Sequence, residues 1–272
     1  MATGRAMGSN RRAYAVGGQA RYLNPPMTEP TARSRVSLRA NNPAVIEGHS
    51  VHPSYVFDAS ERDHCLIPGF NNAKIGNRIV VGRWAGLRQY TLSLEERATC
   101  PRSCAVWREC YGSKMPVAVR FRHNDSLMRS LDGELWHLSF KHPKGFSVRL
   151  HVLGDFPDLE YVRQWSAWLG LHPELHVWGF TAHLRESVIG QVIAELNASD
   201  RWHVRFSVAV DAPYAPDQVT TVWEKPARTS FDPKTNSMVC PQEIGNTNHC
   251  VTCGICWKPE LSHVRILFYG HG

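Results

Sequence analysis

Through the middle of the chain, apolar positions alternate between two periods. Leu127, Leu131, Leu135 and Leu138 recur three or four residues apart, which predicts a helix over about 124–140 with Asn124 or Asp125 as its cap. Residues 146–153 read F-S-V-R-L-H-V-L, with Val148, Leu150 and Val152 two apart, a strand that ends at Gly154-Asp155-Phe156. Pro157 and Asp158 open a second helix over 159–169, whose Tyr161, Trp165 and Trp168 fall at the spacing of core packing. A strand follows at Leu175–Thr181, a helix at 187–197 and a strand at 202–210 that ends at Asp211. The last strand is predicted at 263–269. Upstream, 79–81 reads as a strand and 90–94 as further extended chain. Residues 44–73, with Pro53, Pro68 and Gly69, read as loop, as does the proline-rich stretch 212–233.

Strands alternating with helices through short links predict parallel βα units, an α/β fold. In parallel sheets, ligands gather at the carboxyl ends of the strands. That rule puts Gly154-Asp155, Thr181 to His183 and Asp211 on one rim. The cysteine-bearing loop that follows residues 90–94 belongs on the same rim.

Composition narrows the class. The chain has 272 residues and is 43% hydrophobic, enough to bury a core. Its apolar runs are only a few residues long, against about 20 for a membrane-spanning helix. The N-terminal stretch lacks the apolar segment of a secretory signal, so the expected setting is the cytoplasm. Lys and Arg number 31 against 24 acids. Residues 1–43 hold seven arginines and one acid, Glu29, so most of the excess charge sits there. The segment reads as a flexible basic arm, either a solvated leader or a nucleic-acid tether. No phosphate-binding loop, dinucleotide glycine fingerprint or nucleophile elbow is present.

Seven of the eight cysteines fall in two groups. Cys100, Cys104 and Cys110 are spaced C-x3-C-x5-C. Cys240, Cys250, Cys253 and Cys256 are spaced C-x9-C-x2-C-x2-C. In a reducing compartment, clustered thiols read as metal sites rather than disulfides. A tight triplet with one outlying cysteine next to Pro241 matches the runs that ligate iron–sulfur clusters, and four thiolates also suit zinc. Three thiolates leave one coordination position open, as a catalytic site requires, unless His64, Cys65 or a residue of the second group closes it. Cys65 itself reads first as a buried thiol, and His49 and His52 as surface residues. Trp107 and Trp257 stand inside the two groups as solvent shields.

A three-cysteine loop after the first strand of a partial βα barrel resembles the radical S-adenosylmethionine enzymes. There the resemblance implies a [4Fe-4S] cluster on Cys100, Cys104 and Cys110, with S-adenosylmethionine on its open iron. Gly154 and Asp155 would stand at the turn that holds the ligand amine, and Tyr111 would lie beside the cofactor. Residues 240–256 resemble an auxiliary-cluster extension. The superfamily spacing is C-x3-C-x2-C, whereas here the second gap is five residues and Tyr111 follows the third cysteine. The phrases L-E-E-R-A-T-C-P-R-S-C, R-L-H-V-L-G-D-F, G-F-T-A and C-x2-C-G-x-C-W also resemble the phage "gene product 88"-like proteins.

The expected architecture is therefore an α/β partial barrel in three parts: a basic arm at 1–43, the barrel with the first cysteine group at 44–233, and a cysteine-rich metal-binding extension at 234–272. An enzymatic role is expected, with Arg149 and His151 on one strand face clamping an anion or shuttling a proton, Asp155 binding an ammonium group, and His183 and Asp211 as further candidates. Arg149 and His151 have a structural alternative, as polar residues facing outward from a half-buried strand; Asp155 has one as a helix cap. Two other functions fit the residues. One is a metal-stabilised DNA-binding regulator that uses the arginine arm. The other is a zinc-containing, base-modifying barrel with Asp155 and Asp211 as its catalytic pair.

Overall fold

The computed structural model describes residues 41–223 and 231–270, and the backbone of two short strands, β1 (Ala13–Ala15) and β2 (Gln19–Arg21), which pair antiparallel. Residues 1–12, 16–18 and 22–40 of the predicted arm lie outside the described residues, and its last residues, 41–43, lead into the first helix. A short helix, α1 (Pro43–Glu47), and strand β3 (Val56–Phe57) lead to β4 (Ile67–Pro68) and β5 (Arg88–Thr91). Strand β6 (Arg120–Phe121) pairs with β3. Then come α2 (Asp125–Lys141), β7 (Phe146–Leu150), α3 (Leu159–Leu171), β8 (Leu175–Thr181), α4 (Val188–Leu196) and β9 (Trp202–Val208). The chain ends with β10 (Gln218–Val222), β11 (Ser237–Val239), the single turn α5 (Cys250–Cys253) and β12 (Arg265–Tyr269).

Eight strands form one sheet in the order β11-β12-β10-β9-β8-β7-β5-β4. All neighbours are parallel except β4 and β5. From β5 to β10 the main strands sit side by side in chain order, and three crossovers each carry a helix. Among the described residues no pairing joins β4 to β11, so the sheet is open and the expected barrel is not closed. The sheet also runs through the expected boundary at 233, because β11 and β12 extend it.

Side-chain alternation divides the sheet into two unlike faces. Phe146, Val148 and Leu150 of β7, Leu175 and Val177 of β8, and Trp202, Val204 and Phe206 of β9 share one core with the leucine stripe of α2 and the aromatic face of α3. Asn124 caps α2 through its side-chain oxygen and the Leu127 amide, and Asp158 caps α3 through the Tyr161 amide. The opposite face is covered by irregular chain. Trp178 and Val219 pack there with Ile79, Trp84, Val251, Ile255 and Trp257, and Trp178 and Trp257 lie 4.6 Å apart.

Two sequence expectations change. Residues 79–81 form no strand: Ile79 is buried in a turn closed by its bonds to Leu87 and Gly86, while the Val80 amide bonds Val251. Its apolar run marks packing against α5, not pairing in the sheet. Strand β10 lies inside the stretch read as proline-rich loop. Its Val219 and Thr220 are buried, but the five-residue run is too short to stand out between prolines.

The two faces predict unequal tolerance along α2. Leu131→Ala removes a side chain with no exposure and should cost about 2–5 kcal/mol of unfolding free energy in urea. Phe140→Ala, at a residue 81% exposed, should change it by about 0.5 kcal/mol or less.

Candidate metal and ligand site

The first cysteine group lies in residues 92–124, the connection that leaves the carboxyl end of β5. So long a connection buries many carbonyls, which must be paired. Two arginines do this, one of them held by a buried glutamate. Arg120 and Glu96 are both fully buried and form an ion pair at 2.5 Å. Arg120 also donates to the carbonyls of Gly112 at 2.8 Å and Met115 at 3.1 Å. Glu96 accepts from the Ser50 hydroxyl at 2.8 Å. Arg97 donates to the Trp107 carbonyl at 3.2 Å and the Ser113 hydroxyl at 2.8 Å. On the outside, Arg102 lies 4.4 Å over the Trp107 ring and donates to the carbonyls of Ile46 and Glu47, so α1 covers the loop.

Asp155 fastens the loop to the rim. It is 3% exposed. Its two oxygens accept from the Phe156 amide at 2.8 Å, the Thr181 hydroxyl at 2.8 Å and the Ala182 amide at 2.6 Å. Its own amide donates to the Thr99 hydroxyl beside Cys100. Burial pushes its carboxyl up, opposed by His183 and by these hydrogen bonds. The turn before it admits only glycine. Gly154 has φ of +80°, and a Cβ there would meet Leu94 Cβ and Thr99 Oγ1 at 2.7 Å.

The second group lies across the other face of the sheet. Arg205 of β9 is fully buried and donates to the carbonyls of Cys256, Val264, Ile255 and Leu261. The Cys250 and Val251 amides donate to the carbonyls of Lys74 and Ile75, which hold α5 in place. Lys74 pairs with Glu243 at 2.7 Å, with the Cys240 and Cys250 thiols as neighbours.

All seven cysteines of the two groups are free thiols. Burial pushes each one up. Asp155, Cys110 and Cys104 raise Cys100 further, and Cys250, Cys240 and Cys253 raise Cys256 further. Cys104 is pushed up to about 11 and Cys250 to about 12, in both cases mainly by burial. Each group is thus a set of desolvated thiols in electrostatic reach of one another. Among the described residues, no three His, Cys, Asp or Glu side chains converge on a site for a single metal ion. The donor chemistry fits an iron–sulfur group, since soft thiolates are its ligands and the anionic result would meet cations already in place.

Arg149 lies beside the second group and the rim residues Tyr111 and Asp155. It is 7% exposed, and its guanidinium lies 4.4 Å from the Phe180 ring and 5.0 Å from the Trp178 ring. It donates to the carbonyls of Leu150 and His151 and, among the described residues, forms no ion pair with a carboxylate. Its titratable neighbours are Tyr111, Cys250, Cys256 and Asp155. Tyr111 is 40% exposed, yet its hydroxyl is desolvated among Arg149, Cys110, Cys100 and Glu96.

The structure brings Cys100, Cys104, Cys110, Tyr111, Gly154, Asp155 and Arg149 to one region, with Thr181 and His183 beside them. His183 bonds the Phe156 carbonyl at 2.7 Å. Three expectations are corrected. Asp155 is no cap, since Asp158 caps α3. His151 does not share a face with Arg149. The sheet pairing stops at Leu150, so period-two alternation no longer governs the next residue, and the His151 ring turns to the helix-side core, bonding Tyr161 at 3.0 Å. Cys65 is fully buried in that same core, its thiol pushed up to about 12 by burial and by Glu134, and exposed His64 lies beside Glu134. Neither closes the first group. Asp211 is exposed and no bond links it to Asp155, whose oxygens are engaged elsewhere. Sequence reading missed Glu96, Arg97, Arg120 and Arg205. Their only signal was charge beside the cysteines or within an apolar strand.

Two outcomes follow. Gly154→Ala should lower unfolding free energy by about 1–3 kcal/mol, measured by denaturant titration. Burial, then Arg149 and His123, hold His151 well below its usual 6.5, so the folded state favours its neutral form. That stability is present above pH 6.5 and is lost as pH falls, by up to about 1.4 kcal/mol per pH unit. In a series of unfolding curves from pH 7.5 to pH 5, as an order-of-magnitude window around that value, His151→Phe should flatten the acid limb; an unchanged slope would exclude His151 as its source.

No curated protein matches the chain, and no solved structure matches it. The family model for gene product 88 matches residues 64–259, from just before Cys65 to just past Trp257, and so takes in all eight cysteines, Arg149 and Asp155. The chain belongs to the gene product 88 family.

Proposed function

We propose that the protein is an iron–sulfur enzyme in which Cys100, Cys104 and Cys110 hold a cluster with one open coordination position. Cys240, Cys250, Cys253 and Cys256 hold a second, closed one. The observation that carries this reading is Arg149: a buried guanidinium that, among the described residues, has no carboxylate ion pair and has Cys250 and Cys256 of the second group and Tyr111 and Asp155 of the rim as its neighbours. A buried cation needs a compensating anion, and a thiolate-bound cluster on the second group would supply it. The open cluster, when bound, supplies a coordination site for S-adenosylmethionine and an electron for its cleavage.

In this reading the protein's own groups have defined tasks. Glu96, Arg97 and Arg120 fix the loop that carries the three thiols. Asp155, three of whose four lone-pair positions are used, keeps one for the ammonium group of a ligand at the rim. Arg149 and Tyr111 present a cation and a hydroxyl to the same space. The order β5-β7-β8-β9-β10, with helices on one face only, supports the partial-barrel reading, since it is the winding of such barrels.

Anaerobically purified protein should contain roughly eight irons and matching sulfide per chain, with a broad visible band that bleaches on dithionite. S-adenosylmethionine should alter the EPR signal of the reduced protein, and Cys100→Ala should abolish that response while leaving roughly four irons. Zinc without iron would overturn the proposal.

A further inference from the structure

At the end of the sheet remote from the cysteine rim, a cavity of about 390 Å³ opens beside the amino end of β5. Its lining includes Phe70, Asn77, Arg88, Tyr90, Lys141 and His142. The Tyr90 hydroxyl and His142 Nε2 are 2.8 Å apart. Arg78 stands directly opposite Arg88 across an isolated antiparallel bridge. Like charges in that relation repel. Among the described residues no carboxylate pairs with Arg78, Arg88 or Lys141. Burial, then Lys141, Arg88, Arg78 and His137, holds His142 below its ordinary value, so these cations share one field.

The C-terminal dipole of α2 accounts for Lys141, which lies in its last turn. It does not account for Arg88, which lines the cavity with a second arginine held opposite it. We propose that this pocket binds a nucleotide, its phosphate between Arg88, Lys141 and Arg78 and its base against Phe70 and Tyr90. Guanidinium groups suit phosphate oxygens, and an aromatic wall suits a base without selecting its identity. The volume is within the range of small-molecule sites. The inference is independent of the metal reading.

The test is calorimetry on the full chain with adenosine monophosphate, inorganic phosphate and a short single-stranded oligonucleotide. Arg88→Ala/Lys141→Ala removes two side chains that form no ion pair among the described residues, and its melting temperature checks that it folds. Nucleotide binding that this variant weakens by roughly tenfold or more, and that Arg108→Ala, at an exposed arginine between Cys104 and Cys110 in the first cysteine loop, leaves unchanged, would support the site. Tighter binding of the oligonucleotide than of the mononucleotide would name a strand as the source, and the reverse a free nucleotide. Absent binding, equal affinity for inorganic phosphate, or wild-type affinity in the double variant would overturn it.

Discussion

Buried carbonyl groups are the constraint on which this structure depends. Both cysteine groups lie on chain that forms neither helix nor sheet for most of its length, yet both are packed against the sheet. An irregular buried segment has no ladder to satisfy its backbone, and each orphaned group costs free energy comparable to a lost hydrogen bond. The protein answers with arginine. Arg97 and Arg120 serve the first loop and Arg205 serves the second, each guanidinium donating to carbonyls of the irregular chain. The rigid fork of donors explains why arginine fills these places and lysine does not.

Charge is distributed to match. The rare ionic partnership of Glu96 with Arg120 is sealed from solvent and tied into further hydrogen bonds, the condition under which a buried ion pair is tolerated. Arg149 lacks such a carboxylate and is placed among thiols and aromatic rings instead. A near-neutral body thus holds separate pockets of positive charge, visible only once the fold assembles them.

Much of the helix-covered half was legible in the sequence. Leu127 to Leu138 and the β7, β8 and β9 runs carry strong periods, and the caps at Asn124 and Asp158 obey local rules. The rim was legible too, because strand ends set the place of Gly154, Asp155 and Thr181. The other face was not. Ile79 resembles a strand residue although it packs on α5, since short apolar runs carry no record of their partner. His151 shows the limit of the alternation rule, which holds only while pairing continues. The arginine staples were hidden because a charged residue in a sequence gives no sign of which distant carbonyls it will meet.

The position of β12 has a consequence for how the chain is made. Strand β12 lies between β10 and β11, so β11 has no place in the sheet until the later strand is present. During synthesis, the second cysteine group emerges while its flanking strand is still unpaired. Insertion of β12 then closes both neighbours at once and brings the carbonyl of Val264 to Arg205. The cysteine-rich segment is therefore open until β12 arrives and is latched by that strand.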